Sequence, residues 1–192
     1  MNSLPVSFSY VAWLSGTKPK FDSFYDKFGK TGAMISEVDL LKGIGICAGL
    51  KSVDVEGATA NLHTNYKGMV YAALDALKTR DFVFLHIEAS DECGHQGDKD
   101  GKILAIEYLD YKVVKPIYDG LIKMNTPFKL LFLPDHATPL CLKTHTKDPV
   151  PYMLFDSTKN LSNGAVAYDE DNAESTGAFE NIGHKLIEKL FE

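Results

Sequence analysis

Residues 81–87 read DFVFLHI and residues 128–134 read FKLLFLP, and these two nearly continuous apolar stretches decide the fold. Such stretches are typical of strands that are covered on both faces of a sheet. Between them, residues 102–124 carry apolar side chains at helical spacing, at positions 103, 106, 109, 113, 117 and 121. A strand, a crossover helix and a second strand predict a parallel pair. The sequence therefore predicts an α/β fold, with a mostly parallel sheet flanked by helices.

The rest of the chain continues this alternation. Hydrophobic spacing and turn residues predict further strands at residues 7–14, 32–37, 51–55 and 151–155. They predict further helices at residues 21–28, 40–46, 66–77 and 182–191. With 192 residues and no repeat or low-complexity tract, the chain is expected to form a single domain.

Composition excludes several classes of protein. Apolar residues make up 45% and charged residues 24% of the chain, which is ordinary for a globular protein and excludes intrinsic disorder. The net charge of −6 argues against nucleic acid as a partner. No apolar stretch is long enough to span a membrane, and the first residues do not resemble a signal peptide. Three cysteines without a CxxC pair suggest reduced thiols, so we expect a cytoplasmic protein.

Acidic residues and histidines follow the two central strands. Asp91 and His95 come after the first, Asp135 and His136 come after the second, and His145 lies nine residues further on. In open α/β sheets, ligands bind beyond the carboxyl ends of strands. Carboxylates together with imidazoles suit Mn²⁺ or Zn²⁺ better than Ca²⁺. These five residues are therefore candidate metal ligands.

A role unrelated to metal binding is an alternative for each pair. A single Asp–His pair in a loop is more often a capping aspartate beside a surface histidine than a metal site. His86, inside a predicted strand, is expected to be a core histidine with its polar atoms satisfied. Only the occurrence of two pairs at one predicted sheet edge favours a shared site.

Three segments that carry these residues resemble the archaeal-type cofactor-independent phosphoglycerate mutases, which belong to the alkaline phosphatase superfamily. They contain the patterns Asp-Glu-x-Gly-His at residues 91–95, Asp-His-Ala-Thr-Pro at 135–139 and Thr-His-Thr-x-Asp-Pro-Val-Pro at 144–151. The resemblance extends to residues 38–45 and 57–59. It implies an alkaline-phosphatase-like fold and two divalent metal ions, Mn or Zn.

The resemblance also implies how the ligands divide. Asp91, His95 and His145 would bind one metal, and Asp135 and His136 would bind the second. The family's second metal also uses an early Asp and the Ser nucleophile, and neither has a counterpart here. The resemblance thus implies that residues 1–192 form a partial domain, the C-terminal part of a metal-dependent phosphotransferase. Residues 1–65 would include part of an inserted substrate-contacting region.

The family pattern is altered near residue 63. Where the family has Asp and Lys, this sequence has His63 and Met69. The metal-ligand set is unaffected, but the substrate is left open.

The expected activity is an isomerase reaction of glycolysis, the interconversion of 2- and 3-phosphoglycerate. The expected partners are a small phosphorylated substrate and the missing N-terminal segment of the same protein, with no nucleic acid and no membrane. The alternatives are a homoserine-kinase-like enzyme, a phosphohydrolase, or a metal-binding half-domain without activity. The chain alone, lacking the Ser nucleophile, is expected to be inactive and to bind metal weakly.

Overall fold

The structure is a computed structural model that describes residues 19–159 and 162–192, so the strand predicted at residues 7–14 lies outside the described residues. Its larger sheet is parallel and three-stranded, in the order β2-β1-β3. The strands are β1 (Gly32–Ile35), β2 (Lys51–Ser52) and β3 (Phe82–Leu85). The predicted α/β fold with a mostly parallel sheet flanked by helices is therefore confirmed.

Eight α-helices are present in the described part of the chain. All nine strands and helices predicted between residues 21 and 155 coincide in place with observed elements, although the helix predicted at residues 102–124 is interrupted. The helices are α1 (Phe24–Phe28), α2 (Asp39–Cys47), α3 (Tyr66–Ala76), α4 (Ala89–Gln96), α5 (Lys99–Tyr108), α6 (Lys115–Met124), α7 (Glu170–Ser175) and α8 (Leu186–Phe191). Helices α4 and α7 were not predicted as elements, because both are short and polar.

The predicted pairing of the two central strands is wrong. The second apolar stretch forms β4 (Lys129–Phe132), which pairs antiparallel with β5 (Met153–Asp156) in a separate two-stranded sheet. Strand β3 pairs with β1 instead. The two apolar stretches correctly predict strands, although both strands are only partly buried, and such a stretch carries no information about which strand lies beside it.

The long helix predicted at residues 102–124 is interrupted. Between α5 and α6 lies a π-helix, Leu109–Val114. The predicted apolar stripe changes character there, since Ile103 and Ile106 are about half exposed whereas Ile117 and Leu121 are buried. The stripe was therefore correct only for its second half.

Apolar side chains cover the sheets from two sides. The larger cluster joins α3, the π-helix and α6 to side chains of β1, β3 and β4, and includes Met69, Ile117 and Leu121. The smaller cluster packs α1 and α8 against β1 and the start of β3, around Phe24, Met34 and Phe82. Among the described residues, no helix combines the length and apolar character needed to cross a bilayer.

Candidate metal centre

Helix α4 presents the first two candidate ligands. It begins directly after Glu88 and ends at Gly97, whose left-handed φ of 72° closes the helix. Asp91 and His95 lie one helical turn apart and therefore share a face, and the Oδ2 of Asp91 lies 3.2 Å from the Nε2 of His95. The spacing of four in the sequence thus gives the expected geometry.

The loops after β4 bring in the other histidines. The amide of Thr146 donates to the carbonyl of Ala137 at 3.0 Å, forming an isolated antiparallel bridge. This bridge places the neighbouring rings of His136 and His145 in a stack, with their centroids 3.6 Å apart. Two segments nine residues apart therefore meet at one point.

Asp91 lies at the centre of the cluster. Its Oδ1 is 3.5 Å from the Nε2 of His145 and 4.0 Å from the Nδ1 of His136. The Nε2 atoms of His95 and His145 are 3.0 Å apart. Ligand atoms around a tetrahedral ion with bonds of about 2.0–2.1 Å lie roughly 3.3 Å from one another. The separations among Asp91, His95 and His145 are close to this value, with His95 near the Oδ2 of Asp91 and His145 near its Oδ1.

The orientation of His95 also suits metal binding. Its Nδ1 lies 2.9 Å from the carbonyl oxygen of Lys143, to which it can donate a hydrogen bond. That tautomer leaves a lone pair on Nε2, which faces the Nε2 of His145 and the carboxylate of Asp91. A carbonyl partner on the outer nitrogen is the usual arrangement of a metal-binding histidine.

The division of ligands between two metals is not visible in the distances. A triad of Asp91, His136 and His145 has its ligand atoms within 4.8 Å of one another, so His136 approaches the first set. Asp135 contributes less, because its side chain is 64% exposed and contacts only His136, whose amide donates to Oδ1 at 3.1 Å and whose Nε2 lies 3.4 Å from Oδ2. All five predicted residues lie in one cluster, and their assignment as ligands remains a prediction.

Thr138 orients the carboxylate of Asp91 through a hydrogen bond. Its buried hydroxyl donates to the Oδ1 of Asp91 and lies 3.2 Å from the Nδ1 of His136. The carbonyl of Thr138 accepts from the Nζ of Lys102 at 2.6 Å. Gly94 permits this close approach, since a Cβ atom at that position would lie 2.8 Å from the same carbonyl.

A second polar group lies at the ends of β1 and β3, and only part of it was considered in the sequence. The Oγ of Ser36 lies 3.2 Å from the Nδ1 of His86, whose Nε2 lies 3.4 Å from the Oε2 of Glu88. His86 is thus a satisfied, largely buried histidine, as predicted. Burial raises the pKa of Glu88, and the nearby carboxylates of Asp91 and Asp135 raise it further.

Glu37 is the residue that sequence reasoning missed. Its Oε1 accepts from the hydroxyl of Thr64 at 3.1 Å, but its buried Oε2 has no hydrogen-bond partner. Burial raises its pKa to about 7. The same hydroxyl of Thr64 lies 3.8 Å from the sulfur of Met69, so Met69 is close to this carboxyl group. The altered residue 69 was noticed in the sequence, but nothing there linked it to Glu37.

Comparison with known proteins gives related sequences that are longer than this chain. A probable 2,3-bisphosphoglycerate-independent phosphoglycerate mutase from Geobacter sulfurreducens is 48% identical over 180 residues, which cover 94% of this chain and 45% of the relative. The 2,3-bisphosphoglycerate-independent phosphoglycerate mutase of Methanosarcina barkeri is 49% identical over 166 residues, 86% of this chain and 42% of the relative. The chain therefore spans less than half the length of these curated relatives.

Solved structures agree on the fold. A protein from Pyrococcus horikoshii matches 91% of this chain and 52% of its own, with a TM-score of 0.80 and 27% identity. The cofactor-independent phosphoglycerate mutase from Thermoplasma acidophilum matches 90% of this chain and 39% of its own, with a TM-score of 0.62 and 20% identity, and supports the fold alone. The family described as the metalloenzyme superfamily matches residues 11–191. The chain belongs to the metalloenzyme superfamily.

Proposed function

We propose that this chain is the metal-binding part of a phosphotransferase of the cofactor-independent phosphoglycerate mutase type. The observation that carries the proposal is the convergence of Asp91, His95 and His145 at distances close to those between the ligands of one cation. The relatives that cover most of this chain carry the name of that enzyme. The reaction would interconvert 2- and 3-phosphoglycerate, an isomerisation of glycolysis in the cytoplasm.

We propose two divalent metal ions, Mn or Zn. Asp91, His95 and His145 would hold the first, and Asp135 and His136 would contribute to the second. Bound metal ions would lower the pKa of a coordinated hydroxyl and offset charge on a phosphoryl group. The donor set of carboxylates and imidazoles suits these ions.

The chain's own residues position this centre. Thr138 orients Asp91, the carbonyl of Lys143 orients His95, and Lys102 anchors the segment that carries Thr138. None of these groups is a suitable nucleophile. The hydroxyl of Thr138 is buried and donates to Asp91. We therefore propose that the nucleophilic serine lies in another part of the whole protein.

Substrate recognition by this type of enzyme would also require basic groups. The sequence contains one arginine, Arg80, which precedes β3 and thus lies at the end of the sheet opposite to the metal centre. Arginine binds carboxylates and phosphates through two parallel hydrogen bonds. We propose that the basic groups for a small phosphorylated substrate come from the remainder of the protein, and that residues 1–65 include part of a substrate-contacting region.

Two experiments test the proposal. A Mn²⁺ titration by calorimetry should show binding to the 192-residue chain that His95→Ala weakens, whereas the exposed control His63→Ala leaves it unchanged. Equal binding by His95→Ala would contradict the assignment.

Activity should be measured on the whole protein, with phosphoglycerate, homoserine plus ATP, and simple phosphate esters. Mutase turnover supports the proposal. Turnover of homoserine or hydrolysis of esters would instead support the kinase-like or phosphohydrolase alternative. The 192-residue chain alone should show no turnover even with Mn²⁺, and robust turnover would place a nucleophile within it.

A further inference from the structure

Strands β3 and β4 each leave one edge without a partner among the described residues. Strand β3 ends the order β2-β1-β3, and β4 bonds only to β5. Unpaired edges that stay exposed are usually blunted by charges or proline. Strand β3 contains neither, and the single charge of β4, on Lys129, is directed toward Asp156 and the carbonyl of Lys189. Nothing in either strand protects its free edge.

Two helices hold β3 and β4 in one layer. On one face, Ile117 and Leu121 of α6 lie in the same apolar cluster as Val83 and Leu130, which belong to the two strands. On the other face, α8 reaches both sheets. The ring of Phe191 lies 5.6 Å from that of Phe82, and the carbonyl of Lys189 accepts from the Nζ of Lys129 at 3.3 Å.

The two strands also point the same way. The helix that follows β3 meets the loop that follows β4, where the hydroxyl of Thr138 donates to Asp91. Both carboxyl ends therefore lie at the metal centre. Strands β3 and β4 therefore run in the same direction without bonding to each other, and we call the region between them the strand gap.

We infer that the strand gap receives one extended strand from the part of the whole protein that lies outside these 192 residues. This inference rests on the proposed function only in treating the chain as part of a longer protein. Relatives extend well beyond the aligned region, since this chain covers 45% and 42% of two of them. The inserted strand would bond to β3 on one side and β4 on the other, about 4.8 Å from each.

The surroundings define the chemistry of the inserted strand. Phe84 in the middle of β3 is 41% exposed, and Leu133 just after β4 is 38% exposed. The cluster of Ile117 and Leu121 would cover such a strand on the α6 face, so its residues on that face should be apolar. None of the five described strands of a second copy has two free edges to offer, because each already has at least one edge paired.

The directions of the backbone hydrogen bonds predict which residues of β3 and β4 would bond to the inserted strand. In β3, the amides of Phe82 and His86 donate toward β1, so the alternating residues Val83 and Leu85 face the strand gap. In β4, the carbonyl of Phe128 accepts from β5, so by the same alternation Leu131 faces the strand gap.

The test is amide hydrogen exchange by NMR on the 192-residue chain, alone and co-expressed with the unmatched remainder of the Geobacter sulfurreducens relative. In the chain alone, the amides of Val83, Leu85 and Leu131 should exchange about 100-fold faster than those of Phe84 and Leu130. In the complex, all five should be slow. Leu131→Pro should prevent the complex while the amide of Leu130 stays protected.

Several outcomes would overturn the inference. Formation of the complex without new protection of Val83, Leu85 and Leu131 would place the added segment elsewhere. Protection of these amides in the chain alone would also overturn it, and removal of residues 1–18 or dilution would then show whether the chain's own terminus or a second copy is responsible. A protected complex without mutase turnover would refute the proposed function and leave the strand gap assigned.

Discussion

The candidate metal centre and the Glu37 pocket, which consists of Glu37, Thr64 and Met69, both lie beyond the carboxyl ends of strands. The carboxyl groups of the two regions have different surroundings. At the metal centre, the carboxylate of Asp91 contacts Thr138, His95 and His145. At Glu37, one carboxyl oxygen has Thr64 as its only partner and the other has none. The first carboxylate has several polar neighbours, whereas burial of the second disfavours its charged form and raises its pKa.

This difference shows which kind of site can be recognised from the sequence and which can be recognised only in the structure. The candidate metal centre contains residues whose types and spacing already indicate metal-binding chemistry. The Glu37 pocket is defined by what surrounds an ordinary glutamate, namely burial and the fully buried Met69 nearby. Partners must be found in space before such a group stands out.

Removal of the central carboxylate should give the largest effect. Asp91→Ala takes away the one group that contacts the other ligands, so we expect the Mn²⁺ affinity to fall by at least about 100-fold. Calorimetric titration measures this change. The matched control is Asp75→Ala, which removes an exposed carboxylate paired only with Lys78 and should leave the affinity unchanged. If Asp91→Ala and Asp75→Ala bind Mn²⁺ with equal affinity, Asp91 is not a ligand of the cation.

A methyl group at the contact between α4 and the following loop should be nearly as damaging. In Gly94→Ala the new Cβ would meet the carbonyl of Thr138 at 2.8 Å, so backbone must shift, at a cost of about 1–3 kcal/mol in unfolding free energy. Urea unfolding measures it. Gly43→Ala in α2 is the control, because nothing lies within 4 Å of its Cβ, and it should stabilise by about 0.5–1 kcal/mol. Similar results for both variants would show that the close approach is unimportant.

Loss of the buried hydroxyl should weaken the metal centre moderately. Thr138→Val keeps the shape but removes the donor to Asp91, so we expect about a 10-fold loss of Mn²⁺ affinity with little change in the number of ions bound. Thr138→Ser retains the donor and should restore most of the affinity. If the variants Thr138→Val and Thr138→Ser bind Mn²⁺ equally well, the hydroxyl of Thr138 does not orient Asp91.

The Glu37 pocket should show itself in the pH dependence of stability. Folding raises the pKa of Glu37 from 4.5 to about 7, so the folded chain binds more protons than the unfolded chain in that interval. The free energy of unfolding should therefore fall as the pH rises from 4.5 to about 7. Glu37→Gln should remove this contribution and raise stability at pH 8 by about 1 kcal/mol, after allowance for solvent screening.

Urea unfolding of the wild type and Glu37→Gln at several pH values measures this contribution. Glu56→Gln, at an exposed position, serves as the control. Parallel pH profiles for wild type and Glu37→Gln would mean that Glu37 is ionised in the folded protein like a surface carboxylate.

Prediction from sequence succeeded where the signal is local. The spacing of Asp91 and His95 gave their shared helical face, and the stripe of Met69, Val70 and Ala73 gave the buried side of α3. It failed for the pairing of β3 and β4, because pairing depends on strands distant in the chain. It also failed for Glu37, because the pocket combines β1 with the start of α3.

The π-helix between α5 and α6 has a consequence for the evolution and engineering of this fold. Buried residues recur every fourth position on its two sides, at Gly101 and Ala105, and at Val113, Ile117 and Leu121. In a regular α-helix, four residues turn by about 40° more than a full circle, so this line would drift around the helix axis. The wider turn of the π-helix compensates for part of this rotation. Such a π-helix is equivalent to one residue inserted into a regular α-helix. Deleting one residue between 109 and 114 should restore a regular helix and rotate the buried face of α6 by about 100° relative to α5. Length changes here are therefore expected to be tolerated by the helix but penalised by the core.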